Sequence, residues 1–176
     1  MDESIIIESG IFDEEYYLSE YQDIQEIKIT PLEHYLKSGY KENRRPNAEF
    51  DPQWYLEAYR GVKDSGMNPV IHYINHGKEE KRFSNEKAFL NYVVKELKFF
   101  DRRYYLSEYS DVRESSMDAV SHYTHYGYKD RRRPNTEFDP TWYEKYYKDV
   151  DINPVLHYVL YGEREKRFKN SVMKND

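Results

Sequence analysis

The stretch FDEEYYLSEYQDI (residues 12–24) returns as FDPQWYLEAYRGV (50–62), FDRRYYLSEYSDV (100–112) and FDPTWYEKYYKDV (138–150). The four starts lie 38, 50 and 38 residues apart, so the chain is built from repeats, and the repeat decides the fold. Each Phe-Asp block is followed by a second one: PLEHYLKSG, PVIHYINHG, AVSHYTHYG and PVLHYVLYG, with His-Tyr at His34, His72, His122 and His157 and a Gly five residues after each His. A longer period lies above this one. At an offset of 88, 27 of the 51 positions from Phe12 to Val62 are identical to those from Phe100 to Val150.

Asp13, Asp51, Asp101 and Asp139 sit where a helix N-cap belongs, because a carboxylate there accepts the orphan N–H groups of the first turn. Pro52 and Pro140 then fall at N1, where the missing N–H is harmless and φ is already helical. The Phe before each Asp and the Tyr four residues after it (Tyr17, Tyr55, Tyr105, Tyr143) form a hydrophobic staple of two rings. This predicts a first helix of about eleven residues that runs through Tyr21, Tyr59, Tyr109 and Tyr147 to the Ile or Val after them. A second helix starts at Thr30-Pro31, Asn68-Pro69 and Asn153-Pro154 and is expected to stop at the glycines, which suit a left-handed C′ position. Helices this short are marginal alone and must stack on one another.

The expectation is an all-α fold of tandem helical repeats: four two-helix units in two pseudo-equivalent halves joined by a connecting helix. The divisions are an N-terminal extension (1–11), a first repeat pair (12–83), the connecting helix (84–99), a second pair (100–168) and a tail (169–176). The connecting segment carries Phe89, Leu90, Val93, Val94 and Leu97 at helical spacing.

Composition agrees with a folded, ring-rich chain. Charged residues make up 34% of it, which would suggest disorder, but 20 Tyr, 8 Phe and 2 Trp supply large buried areas. The absence of Cys excludes disulfides, thiolate catalysis and cysteine-ligated metal. A net charge of −6 argues against bulk attraction to nucleic acid, and Lys129 to Arg133 is the densest basic run, without a nucleic-acid-binding motif around it. No run of apolar residues is long enough for a transmembrane helix and no secretion signal is read, so a cytoplasmic location is expected, or one at the inner face of a membrane through a partner.

The four histidines invite a metal or acid–base reading, but one per stacked unit is a poor way to converge on one ion. They are read as structural, bonded to a backbone carbonyl or an acidic neighbour. The recurring Arg44, Arg82, Arg132 and Arg167, each two residues after Glu42, Glu80, Asp130 or Glu165, read as ion pairs tying a loop to the next helix, with Arg44 and Arg132 also candidate ligand contacts. Trp54 and Trp142, at the same position of equivalent units, read as core or inter-repeat packing or as a platform for a sugar ring. No catalytic residue, metal site or cofactor motif is found, and the chain is read as no enzyme.

The string FD-x-x-YYL-x-x-Y-x-DV, then NP-x-x-HY-x-x-x-G-x-x-E-x-R-x-PN, resembles a tandem repeat of bacterial surface-polysaccharide glycosyltransferases of the rhamnan-synthesis type, and repeats of some secreted bacterial proteins. The likeness runs from about Phe12 to Phe168; the departures are Gly61 for Asp, Ala119 for Pro, Glu144 for Leu, and a fourth unit three residues shorter before its His. The resemblance implies a non-catalytic binding or scaffolding module in cell-surface glycan biosynthesis or display, with a glycan or a partner protein as target. The alternatives are an accessory region of a larger glycosyltransferase and a protein–protein scaffold with no glycan role.

Overall fold

A computed structural model describes residues 2–26 and 28–174; the first residue of the extension and the last two of the tail lie outside the described residues. All regular structure among them is helical, in repeated pairs of short helices. The chain divides into two compact units, Met1–Phe89 and Leu90–Asp176.

The predicted starts hold. Asp13, Asp51, Asp101 and Asp139 each accept a hydrogen bond from the backbone N–H three residues on, at 2.9 to 3.0 Å. The staple rings meet behind these caps, with Phe12–Tyr17, Phe50–Tyr55, Phe100–Tyr105 and Phe138–Tyr143 centroids 5.0 to 5.3 Å apart. Thr30, Asn68 and Asn153 cap the second helices, and Asp118 does so in the third repeat, where Ala119 replaces the proline.

The first helix is shorter than its periodicity suggests. It spans Glu14–Glu20, Pro52–Ala58, Arg102–Glu108 and Pro140–Tyr146, and the chain then leaves helical geometry at the second tyrosine, Tyr21 having φ −118° and ψ 81°. The break turns that tyrosine toward the end of its own repeat. The hydroxyls of Tyr21, Tyr59, Tyr109 and Tyr147 accept the backbone N–H of Arg45, Phe83, Arg133 and Phe168, at 2.7 to 2.9 Å. A continuous helix would have spent the ring on the staple face alone.

The second helix departs from expectation at its other end. It begins as an α-helix, Pro31–His34 in the first repeat, and widens into a π-type turn at Tyr35–Gly39, as do Tyr73–Gly77, Tyr123–Gly127 and Tyr158–Gly162. None of these glycines has positive φ. The left-handed residue comes four positions later, at Asn43, Lys81, Arg131 and Lys166 (φ 55° to 56°). The N–H of the next residue then returns to the glycine carbonyl, Arg44 to Gly39 at 2.9 Å and likewise Arg82, Arg132 and Arg167, which closes a Schellman-type end one turn beyond the glycine.

What the glycines provide is room. A Cβ on Gly39, Gly77, Gly127 or Gly162 would lie 2.1 to 2.5 Å from the hydroxyl of Tyr17, Tyr55, Tyr105 or Tyr143. Each first-helix tyrosine, wholly buried, thus rests its hydroxyl directly on the second helix.

Every repeat is also tied end to start. The N–H of Asp13, Asp51, Asp101 and Asp139 bonds the carbonyl of Pro46, Ser84, Pro134 and Lys169. Beside these bonds the side chains of Asn47, Asn85, Asn135 and Asn170 donate to the carbonyls of Ile11, Glu49, Phe99 and Glu137. The N-terminal extension forms a helix at Asp2–Ser9 that packs on the second helix of repeat two, and its Ile6 is buried. The segment between repeats two and three is helical at Glu86–Asn91 and continues as a π-type turn at Tyr92–Glu96; Phe89, Leu90 and Val93 are buried, while Val94 and Leu97 are only half-buried.

Candidate functional site

The residues that could carry chemistry recur together in each repeat as a His–Tyr–Arg cluster. His34, His72, His122 and His157 hold the hydroxyls of Tyr17, Tyr55, Tyr105 and Tyr143 through Nδ1, at 3.0 to 3.1 Å. The partner of each Nδ1 is therefore a phenol, where a carbonyl or a carboxylate was expected from the sequence. The expectation missed it because the pairing depends on the close approach over the glycine. Burial pushes the phenol pKa values of all four tyrosines up, which keeps them neutral. Burial, with Arg82 and His76 close by, depresses the pKa of His72, so protonating that ring opposes folding as pH falls below its ordinary range.

The arginines face inward as well. Arg44, Arg132 and Arg167 form two-pronged ion pairs with Asp23, Asp111 and Asp149 at 2.5 to 2.9 Å, and each guanidinium lies 4.6 to 4.8 Å from the ring centre of Tyr21, Tyr109 or Tyr147. The pair ties the loop back to the segment that follows its own repeat's first helix, and not to the next helix as expected from the sequence. The link to the next repeat's cap is made by the neighbouring Arg45, which pairs with Asp51. The carboxyl of Asp149 is held down at about 2 by its hydrogen bonds from Arg167, and those of Asp23 and Asp111 are lowered for the same reason. Glu144, which replaces Leu, is not idle: it forms a two-pronged pair with Arg131 at 2.6 and 3.0 Å.

Repeat two shows what the missing carboxylate does. Gly61 replaces the aspartate, and Arg82 keeps its stacking on Tyr59 (4.7 Å) and its bond to Glu80 (2.5 Å). A Cβ at Gly61 would meet nothing within 4 Å. Gly61→Asp is expected to restore the pair, to replace a glycine inside the helix Arg60–Ser65 and to place a carboxylate in its first turn. An exposed pair and a helix-terminal charge each contribute a few tenths of a kcal/mol, so a gain of about 1 kcal/mol is expected in urea unfolding. An unchanged or lower stability would show that the geometry of repeat two differs from its neighbours.

The two tryptophans part company. Trp54 is only 8% exposed, lying edge-on to Tyr59 and 6.2 Å from Phe89. Trp142 is half-buried and stacks on Tyr146 at 4.7 Å and 11°, and Tyr146 is 39% exposed. Trp54 is thus closed to a ligand by its surroundings, and Trp142 keeps an open side.

Among the described residues no group of three His, Asp or Glu side chains is placed to hold a metal ion, and no helix is long and apolar enough to cross a membrane. A groove of about 380 Å³ opens in the second unit, lined by Phe99, Asn135, Glu137, Tyr158, Glu163 and Lys169 among others. The Lys169 ammonium lies 3.1 Å from the Glu137 carboxylate and 5.6 Å from the centre of the Tyr158 ring.

No family model, curated protein or solved structure matches the chain.

Proposed function

We propose that the chain is a non-catalytic binding or scaffolding repeat module whose target is a bacterial cell-surface glycan. The observation that carries the non-catalytic part is the use made of its chemistry-bearing residues. The recurrent His and Tyr side chains, which a catalytic reading would need free, bond each other in all four repeats, and Arg and Asp do so in repeats one, three and four. The glycan follows from the sequence resemblance together with the groove in the second unit. That groove combines aromatic walls (Phe99, Tyr158) with amide, carboxylate and ammonium groups, a mixture suited to a polyhydroxylated ligand. Trp54 takes no part in this reading.

Calorimetric titration with a rhamnose-rich surface polysaccharide tests it. Weak saturable binding is expected, with the polymer unaltered on chromatography afterwards, and a several-fold loss of affinity in Glu163→Ala and in Lys169→Ala. Shortening of the polymer would overturn the non-catalytic reading. Absence of binding, or binding indifferent to both substitutions, would remove the glycan and leave a scaffold for a protein partner.

A further inference from the structure

One surface is covered in the first unit and open in the second. In the first unit, Trp54 and Ala58 on the first helix of repeat two are buried, and the Trp54 ring has Phe89 at 6.2 Å, on a helix that begins behind Asn85, whose side chain caps the N–H of Ala88. In the second unit the corresponding positions are Trp142 and Tyr146. The chain again starts a turn behind an asparagine, with Asn170 capping the N–H of Met173. The next residue, matching Phe89, is Lys174, whose ammonium sits 4.9 Å over the Tyr146 ring. The result is an apolar patch of Trp142, Tyr146, Val172 and Met173, the last three 39%, 67% and 43% exposed.

We propose that this surface receives the N-terminal helix, Asp2–Ser9, of a second copy of the chain, so that copies join head to tail. Two features of that helix fit. Ile7 is 61% exposed and lies one turn from Glu3, so its outer side presents an apolar residue beside an acidic one. Its charges also complement those of the receiving end: residues 2–9 carry Asp2, Glu3 and Glu8 and no basic residue, while residues 163–176 carry five basic residues against Glu163, Glu165 and Asp176, and of the five Arg167 and Lys169 are already paired with Asp149 and Glu137, which leaves Arg164, Lys166 and Lys174. A contact between two different surfaces of one molecule is heterologous and extends into chains of copies unless its rotation closes a ring. A patch of this size gives a weak contact. The inference does not depend on what fills the groove.

Sedimentation velocity of the chain, without glycan, from ~10 µM to ~1 mM covers the range of a weak contact. Mass is expected to rise beyond the dimer with concentration and to fall back as salt is raised, because part of the attraction is between opposite charges. Val172→Asp spoils the receiving surface and Ile7→Asp the inserted helix; both positions are exposed, and unchanged helical circular dichroism and melting confirm intact folding. Each variant alone is expected to stay monomeric, and an equal mixture to form dimers and nothing larger. A wild-type chain monomeric throughout the range overturns the proposal. So does association of Ile7→Asp on its own, since the open surface would then pair with itself, and so does a mixture that stays monomeric while the wild type associates. Association that survives Val172→Asp places the contact elsewhere.

Discussion

Gly127→Ala is expected to destabilise the chain by about 2 to 3 kcal/mol, a large effect for one methyl group on a backbone that tolerates it. The φ of Gly127 is not positive, and alanine is intrinsically better than glycine inside a helix by roughly 0.5 to 1 kcal/mol. The cost comes from what the methyl meets. Its carbon would stand 2.1 Å from the Tyr105 hydroxyl and 3.1 Å from the ring carbon that bears it. Tyr105 cannot swing aside: it is wholly buried among Phe100, Tyr109 and Tyr123, with its hydroxyl held by His122 at 3.0 Å. Relief means shifting several rings and losing the hydrogen bond, itself worth about 1 kcal/mol. Tyr105→Phe removes the oxygen that clashes. The double variant should therefore be more stable than Gly127→Ala alone, although Tyr105→Phe by itself costs about 1 kcal/mol. Urea unfolding of the four proteins reads this coupling. Strict additivity would mean that the glycine is not there for the tyrosine.

That glycine shows where the sequence could and could not be read. Asp caps, ring staples and Asn-Pro starts are local devices, spelled out within six residues, and the structure places each where its spacing put it. The purpose of the glycine is not local. It answers to a tyrosine 22 residues earlier in the first three repeats and 19 earlier in the fourth, and a Gly after a helical run looks the same whether it supplies a left-handed turn or space for a hydroxyl. The tyrosine that ends each first helix misleads for a related reason. Its position one turn past the staple is helical, yet its hydroxyl is needed by an amide 21 or 24 residues away, and the helix breaks to deliver it. Asn85 and Asn170 close the even repeats as Asn47 and Asn135 close the odd ones. They were obscured because the even repeats lack the Pro-Asn pair that marks the odd ones. Of the candidate site, the recurrence of His and Arg was legible, but the partners of those residues were not, since both are set by the ring packing that brings one helix onto the next.

Phe50→Ala is expected to cost more than Asp51→Ala, although the two residues are neighbours in one start signal. Phe50 is 1% exposed, with ring centres of Tyr55 at 5.3 Å and Tyr73 at 5.2 Å, so its removal opens a cavity between the first and second helices of its repeat. Truncation of a buried ring costs roughly 3 to 5 kcal/mol, since the burial is lost and the surroundings collapse only in part. Asp51 gives its helix one capping bond, to the N–H of Trp54 at 3.0 Å, and an ion pair to Arg45. Loss of a cap costs about 1 kcal/mol, and the partly exposed pair adds a fraction of that. Helical circular dichroism followed through urea should therefore place the Phe50→Ala midpoint well below that of Asp51→Ala, with both below the parent chain. The opposite order would mean that the cap, not the ring, holds the repeat's start in place. The difference also separates two ideas of what keeps a polar repeat folded. With a third of its residues charged, this chain looks as though ion pairs should carry it, yet each pair stands partly in water and is worth little. The core rings, Phe50, Tyr55 and their counterparts Phe138, Tyr105 and Tyr143 among them, are shut away from water, and stability in this fold is expected to follow them.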